Sequence, residues 1–127
     1  MRRLLVVCLV LTGCSAGPEN FWRGLQRGLC KYYRNCGLED GSVGECTREA
    51  YEADQTPEAF AADCVDYDPE VGRTCLRYIR EAAEDCDIDQ ATPSECVGIC
   101  GPYTSIQFYQ TASSIEAGGP GAVLIAE

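Results

Sequence analysis

The chain has 127 residues, a length that fits one domain, with ten cysteines, one methionine and no histidine. The lack of histidine excludes histidine-based catalysis, histidine metal ligands and c-type haem attachment. Acidic residues outnumber basic ones by 20 to 10. This balance argues against a nucleic-acid or anionic-membrane surface, because both need clustered positive charge. We therefore expect an acidic protein held together by its cysteines, with no nucleic-acid partner.

The N-terminal segment has the order of a secretory signal. Two arginines precede an apolar run from Leu4 to Leu11, and small residues follow before Cys14. The run is too short to span a bilayer. The residues that end at Cys14, Leu-Thr-Gly-Cys, match the lipobox of bacterial lipoproteins, and this resemblance implies cleavage before Cys14 and acylation of its sulfur. The alternative is ordinary secretion, with cleavage after Ala16.

The lipobox interpretation makes residues 1–13 a signal peptide and residues 14–20 a short tether behind a lipidated Cys14. It predicts an exported protein whose partner is the membrane, reached through palmitate or a similar acyl chain. By the same resemblance, Ser15 favours sorting to the outer membrane.

Eight cysteines remain under either interpretation, because Cys8 leaves with the signal and Cys14 is acylated or lost. An even number of cysteines in an exported chain predicts four disulfides, since the compartments beyond the cytoplasmic membrane are oxidising. A thiolate metal site is disfavoured, because the chain contains no Cys-x-x-Cys pair. The predicted disulfide cysteines are Cys30, Cys36, Cys46, Cys64, Cys75, Cys86, Cys96 and Cys100.

The stretch from Glu19 to Cys100 is poor in apolar residues. It contains 13 Leu, Ile, Val and Phe among its 82 residues and carries a formal charge of −10. Such a composition is close to that of disordered chains. Each disulfide typically adds about 2 to 4 kcal/mol by restricting the unfolded chain. We expect the cross-links to replace the missing core.

The first predicted helix runs from Phe21 to Cys36. At about 100° per residue, one face collects large apolar side chains such as Trp22 and Leu29. The opposite face is basic and is a candidate surface for docking on anionic lipid or polysaccharide near the anchor. The alternative is a face that is ion-paired with the acidic helices. The basic residues are Arg23, Arg27, Lys31 and Arg34.

Later helices are predicted from their start signals. Ser42 with Glu45 has the spacing of a capping box, and three prolines follow a capping residue at the first helical position. The predicted spans are Ser42 to about Ala53, Thr56 to about Val65, Pro69 to Asp85, and a short helix from Pro93 that carries Cys96 and Cys100.

These elements predict an all-α fold, a disulfide-rich array of about four to five short helices. Residues 21–100 form the cysteine-rich domain. Residues 101–127 contain no cysteine, Lys or Arg, and we expect a flexible tail of low order there. Within that tail, Ser105 to Ala112 has the pattern of a short strand.

Helix geometry restricts the disulfide pairing. Cys75 and Cys86 lie about 16 Å apart along one predicted helix, too far for a bridge whose Cα atoms sit within about 7 Å. The same argument excludes Cys30 with Cys36, and side-chain direction disfavours Cys96 with Cys100. Many connectivities remain open, and each of them ties helices together.

The sequence contains few candidates for a metal site or a catalytic site. Asp85, Asp87 and Asp89 resemble the first half of a calcium loop, but Gln90 replaces the turn glycine, so a solvated acidic helix end is the favoured interpretation. No nucleophile with a base is recognisable. We expect no cofactor, no metal and no catalysis.

Three loose motifs carry a family resemblance. They are Cys-x5-Cys at Cys30 to Cys36, Phe-Ala-Ala-Asp-Cys at 60–64, and Pro-x-x-Cys-x3-Cys at 93–100. With the lipobox, they make residues 1–100 similar to the small cysteine-rich lipoproteins of myxobacteria and related bacteria. The resemblance implies a cell-envelope location and carries over no functional residue.

The sequence thus predicts a non-catalytic, envelope-anchored lipoprotein that acts as a binding or structural module. Its ligand or partner would be an envelope protein or a polysaccharide. The alternatives are a secreted hydrolase or hydrolase inhibitor, and a calcium-dependent adhesion module.

Overall fold

The computed structural model describes residues 17–38, 40–52, 55–88, 92–108 and 122–126. The predicted signal peptide, Cys14 and Asp89 lie outside these ranges. Within them the chain forms helices, one 3-10 turn and an antiparallel sheet. The elements are α1 (Pro18–Asn35), α2 (Val43–Glu52), α3 (Pro57–Asp63), α4 (Pro69–Asp85), the 3-10 turn Ser94–Cys96, β1 (Thr104–Phe108) and β2 (Ala122–Ala126).

The helix starts follow the predicted capping residues. The Ser42 hydroxyl accepts from the Glu45 amide at 3.1 Å, and the Thr56 hydroxyl accepts from Ala59 at the same distance. The Asp68 carboxylate accepts from two amides of the first turn of α4. Such caps satisfy N–H groups that a helix start leaves unpaired. The bounds of α4 are those predicted, whereas α3 ends before Val65.

The predicted helix through Cys96 and Cys100 is wrong. The chain makes only a 3-10 turn that ends at Cys96, and it then bends at Gly98 and Gly101, whose φ angles are 86° and 115°. These left-handed conformations end a helix and are readily adopted by glycine. The bend is closed by the Gly98 amide, which donates to the Thr104 carbonyl at 2.7 Å.

The expectation of an all-α fold holds only in part, because the described residues also form a small sheet. Both strands lie within the predicted tail, of which residues 109–121 are outside the described ranges. β1 pairs antiparallel with β2, from Thr104 opposite Ala126 to Phe108 opposite Ala122. Ile106 and Phe108 are almost fully buried, at 0% and 1% exposure. Burial of these apolar side chains anchors the strands without a cross-link. The fold is therefore mainly helical with a small sheet.

The eight predicted cysteines form four disulfides, as expected. Two bridges join residues within different elements, and the other two join residues outside the helices and strands, of which Cys36, Cys64 and Cys86 directly follow a helix. The three excluded or disfavoured pairs do not occur. The pairs are Cys30–Cys46, Cys36–Cys86, Cys64–Cys100 and Cys75–Cys96.

Aromatic packing fastens α1 to α3. The Trp22 ring stacks on Phe60 with centroids 4.6 Å apart, and Phe21 contacts the same ring at 5.6 Å. The indole N–H of Trp22 donates to the Gln55 carbonyl at 3.0 Å. The predicted apolar face of α1 is thus the centre of the core.

Helices α1 and α4 run parallel and pack closely at two glycines. A Cβ built on Gly24 would lie 3.1 Å from Leu76 Cδ2, and one on Gly28 would lie 2.9 Å from Ile79 Cγ2. A larger residue at either position therefore requires the Leu76 or Ile79 side chain to shift. At the C-terminal ends of the two helices, the Cys36–Cys86 bridge brings the Cα atoms to 5.4 Å.

Candidate functional site

The basic face of α1 is engaged at its two ends. Arg23 donates to the Asn20 side chain at 3.0 Å and lies 3.7 Å from the Glu58 carboxylate. Both members of that ion pair are at least half exposed, so the pair adds little stability. Near the other end, Arg34 donates to the Ser42 carbonyl at 3.1 Å. The predicted alternative of an ion-paired face therefore applies to Arg23.

The middle of the basic face borders a groove between α1 and α4. Arg27 and Lys31 line one wall, and Arg80 and Glu84 on α4 line the other. The groove has a volume of about 570 Å³, within the range of small-molecule sites. Three cationic residues against one carboxylate make it locally positive in a chain whose formal charge is −10.

The shape of the groove follows from helix periodicity. Residues three, four or seven positions apart share one face of a helix. On α1 this face presents glycines and the polar ends of side chains, and on α4 it presents aliphatic side chains together with one cationic and one anionic residue. The α1 residues are Gly24, Arg27, Gly28, Lys31 and Asn35, the α4 residues are Leu76, Ile79, Arg80, Ala83 and Glu84, and Val43 of α2 closes one end.

The sequence predicted one wall of this site and missed the other. Arg80 lies on a different predicted helix, and no sequence pattern connects it with the basic face of α1. An ion pair within α4 joins Arg73 to Glu70, at 4.0 Å. The signal that points to the groove is the Gly-x3-Gly spacing of Gly24 and Gly28. That spacing permits close helix packing and leaves space beside it.

A second cavity of about 270 Å³ lies between α1, α3 and β2. The aromatic rings that border it, Trp22 and Phe60, are 4% and 6% exposed and already pack on each other. Its remaining lining includes one carboxylate, that of Asp63. This cavity presents neither clustered charge nor an accessible aromatic face.

The calcium candidate is not assembled by the part of the chain that the structure describes. Asp85 and Asp87 are exposed on either side of Cys86, whose φ of 55° lies in the left-handed region. Among the described residues, no cluster of three or more metal-ligating side chains occurs. Asp89, the third predicted ligand, is outside those residues.

Two tyrosines have perturbed titration. Burial raises the pKa of the Tyr67 hydroxyl, while nearby Arg73 acts in the opposite direction. Burial likewise raises the pKa of Tyr51. Both hydroxyls are protonated at neutral pH, so neither has the ionised form that a general base or nucleophile needs.

Two buried polar atoms have no hydrogen-bond partner among the residues described. They are the amide nitrogen of Gln26, a residue that is 1% exposed, and the hydroxyl of Ser105. Leaving such a group unsatisfied costs about 1 to 3 kcal/mol. Neither residue lines the groove.

None of the helices that the structure describes is long and apolar enough to cross a bilayer. Comparison with known proteins gives no match to a family model, to a curated protein or to a solved structure.

Proposed function

We propose that the protein is a non-catalytic, lipid-anchored module of the cell envelope that binds an anionic ligand in the groove between α1 and α4. The observation that supports this most strongly is the convergence of Arg27, Lys31 and Arg80 on one open groove. The three cations come from two helices that are separated by residues 36–68. Among the described residues that line the groove, Glu84 is the one carboxylate that offsets them.

The charge arrangement favours an anion. Like charges held close together repel each other, and an anionic ligand relieves this repulsion while it gains attraction from each cation. Guanidinium groups match carboxylate and phosphate oxygens with paired hydrogen bonds. An acidic chain also repels anions elsewhere on its surface, which directs them to the groove.

Absence of catalysis is part of this proposal. The described lining contains one carboxylate, Glu84, and lacks the paired carboxylates or the nucleophile with base that hydrolysis requires. The groove therefore has groups for holding an anion rather than for transferring protons.

Export and anchoring are supported by the disulfides and by the lipobox resemblance. Disulfides persist in oxidising compartments outside the cytoplasm. A lipidated Cys14 lies four residues before the start of α1 at Pro18, a distance of at most about 14 Å for an extended chain. Gly24, at the near end of the groove, is a further ~9 Å along α1. The anchor would hold the groove near the membrane, and Ser15 favours the outer membrane.

A binding titration tests the anion preference. The purified full chain, in a neutral detergent, is titrated with dextran sulfate and with uncharged dextran at two salt concentrations. We expect binding of dextran sulfate that weakens as salt rises, because salt screens exposed charges. Exchange of Arg27 and Lys31 for glutamate should abolish this binding.

The matched control is exchange of Arg48 and Arg73 for glutamate, which changes the net charge equally but lies away from the groove. Equal loss of binding in both double variants would show a general charge effect and contradict the proposal.

A further inference from the structure

The floor of the groove decides which kind of anion fits it. Beneath the cationic rim the lining is aliphatic, with Leu76, Ile79 and Ala83 from α4 and Val43 from α2. Leu76 and Val43 are only half-buried, so they present carbon surface that a ligand can cover. No aromatic ring belongs to this lining.

We infer that the ligand is an anionic phospholipid, with its phosphate on the cationic rim and the first part of an acyl chain on the aliphatic floor. This inference rests on the proposed function and names the ligand class of the same groove. Covering an aliphatic floor with an acyl chain removes apolar surface from water on both partners, at about 25 cal/mol per Å².

A polysaccharide fits the same lining less well. Its hydroxyl groups lose hydrogen bonds to water when they are buried and need partners in return. The groove offers few such partners besides its cations, namely the carboxylate of Glu84 and the side chain of Asn35. The aliphatic floor gains nothing from contact with them.

The dimensions agree with a headgroup and part of one chain. The α1 wall runs from Gly24 to Asn35, about 16 Å along the helix axis. Arg27 and Lys31 lie in the middle of this wall, about 6 Å apart along the axis, and Arg80 stands on the opposite wall. Phosphate oxygens placed between the walls reach cations from both sides.

A phospholipid gains from apolar contact with the floor, whereas a water-soluble anion depends on the rim charges alone. A variant of the floor therefore distinguishes phospholipid binding from binding of any anion. Leu76→Asn keeps every charge of the groove and replaces accessible aliphatic surface with an amide. It should weaken binding of a phospholipid and leave binding of a water-soluble anion unchanged. Lys31→Gln should weaken both.

Native mass spectrometry of the purified full chain in neutral detergent directly measures how many lipid molecules each chain binds. The micelles are doped with dioleoyl phosphatidylglycerol or with dioleoyl phosphatidylcholine, which have the same acyl chains. We expect one bound phosphatidylglycerol per chain and at least tenfold less phosphatidylcholine. Lys31→Gln and Leu76→Asn should each reduce the phosphatidylglycerol adduct severalfold, whereas Arg73→Gln, away from the groove, should not. Circular dichroism of each variant shows whether its helices are intact.

The outcomes separate the inference from the function on which it rests. Retained binding of dextran sulfate with equal adducts of the two lipids would overturn the phospholipid inference and leave anion binding intact. An unaffected phosphatidylglycerol adduct in folded Leu76→Asn would also overturn it. Absence of both dextran sulfate and lipid binding would overturn the proposed function itself.

Discussion

Removal of the Cys36–Cys86 disulfide should destabilise the protein mainly through its unfolded state. The bridge closes a loop with a sequence separation of 50 residues, the longest of the four. Loop-closure entropy for that length corresponds to about 4 kcal/mol at 25 °C, compared with about 3 kcal/mol for the 16-residue separation of Cys30 and Cys46. Because Cys86 is exposed and Cys36 only half-buried, serine at both positions adds little burial cost.

Urea denaturation of the Cys36→Ser/Cys86→Ser variant, followed by far-ultraviolet circular dichroism, measures this loss. The native helix signal should be unchanged, because the glycine contacts of α1 with α4 do not depend on the bridge. The slope of free energy against urea should rise, since an unfolded chain without this cross-link exposes more surface. A loss below about 1 kcal/mol, or a variant without native helices before urea is added, would refute the reasoning.

Four further predictions concern other sites. Gly28→Ala should lower the free energy of unfolding by about 1 kcal/mol, because the alanine Cβ meets the Ile79 side chain. Gly44→Ala, in the exposed part of α2, should raise it by up to about 1 kcal/mol. Equal effects of the two variants in urea melts would contradict the packing argument. Gln26→Met should raise the free energy of unfolding by about 1 kcal/mol, because it removes the unpaired amide nitrogen. A lower free energy in the same urea melts would show that this nitrogen has a hydrogen-bond partner. Cys14→Ala should block incorporation of labelled palmitate and leave an unprocessed precursor, while soluble wild-type protein that begins at Gly17 would exclude the lipobox. Calcium at ~1 mM should leave the melting temperature unchanged, and a shift of several degrees that Asp87→Asn removes would establish a calcium site.

Helix starts could be predicted because their determinants are local. Asp68 and Thr56 accept from amides two or three residues ahead, and the following proline has the φ angle that a first helical turn needs. Each of these capping contacts spans no more than four consecutive residues, so it can be recognised from the sequence. The bounds of α4 therefore followed directly from its first and last turns.

The sheet could not be predicted in the same way. The pattern of Ser105 to Ala112 predicted a short strand, and β1 overlaps that stretch. Its partner β2 lies beyond residues 109–121, and the pattern of β1 does not specify the pairing. What selects strand pairing is burial of Ile106 and Phe108 against the helices, which is a property of the assembled core. The absence of cysteine after Cys100 gave no sign of these strands, because apolar burial holds them instead of a cross-link.

The groove was half predictable for a related reason. Arg27 and Lys31 are four residues apart on one helix, so their common face follows from periodicity. Arg80 joins them only because α4 packs parallel to α1 at Gly24 and Gly28, and sequence spacing does not specify that contact. The disulfide pairing was restricted for the same reason but not determined. Helix geometry excludes pairs within one helix, whereas contacts between helices select the actual partners.

The central claim is that α1 and α4 lie side by side, packed at Gly24 and Gly28 and joined at their C-terminal ends by the Cys36–Cys86 bridge, and so form the groove. Mass spectrometry of unreduced peptides after digestion with trypsin and a glutamate-specific protease tests it most directly. The expected products are a Cys30 peptide joined to a Cys46 peptide, a Cys36 peptide joined to a Cys86 peptide, and one peptide with Cys96 and Cys100 joined to both the Cys75 and Cys64 peptides. A bridge between Cys75 and Cys86, or one within the Cys96 to Cys100 peptide, would contradict it.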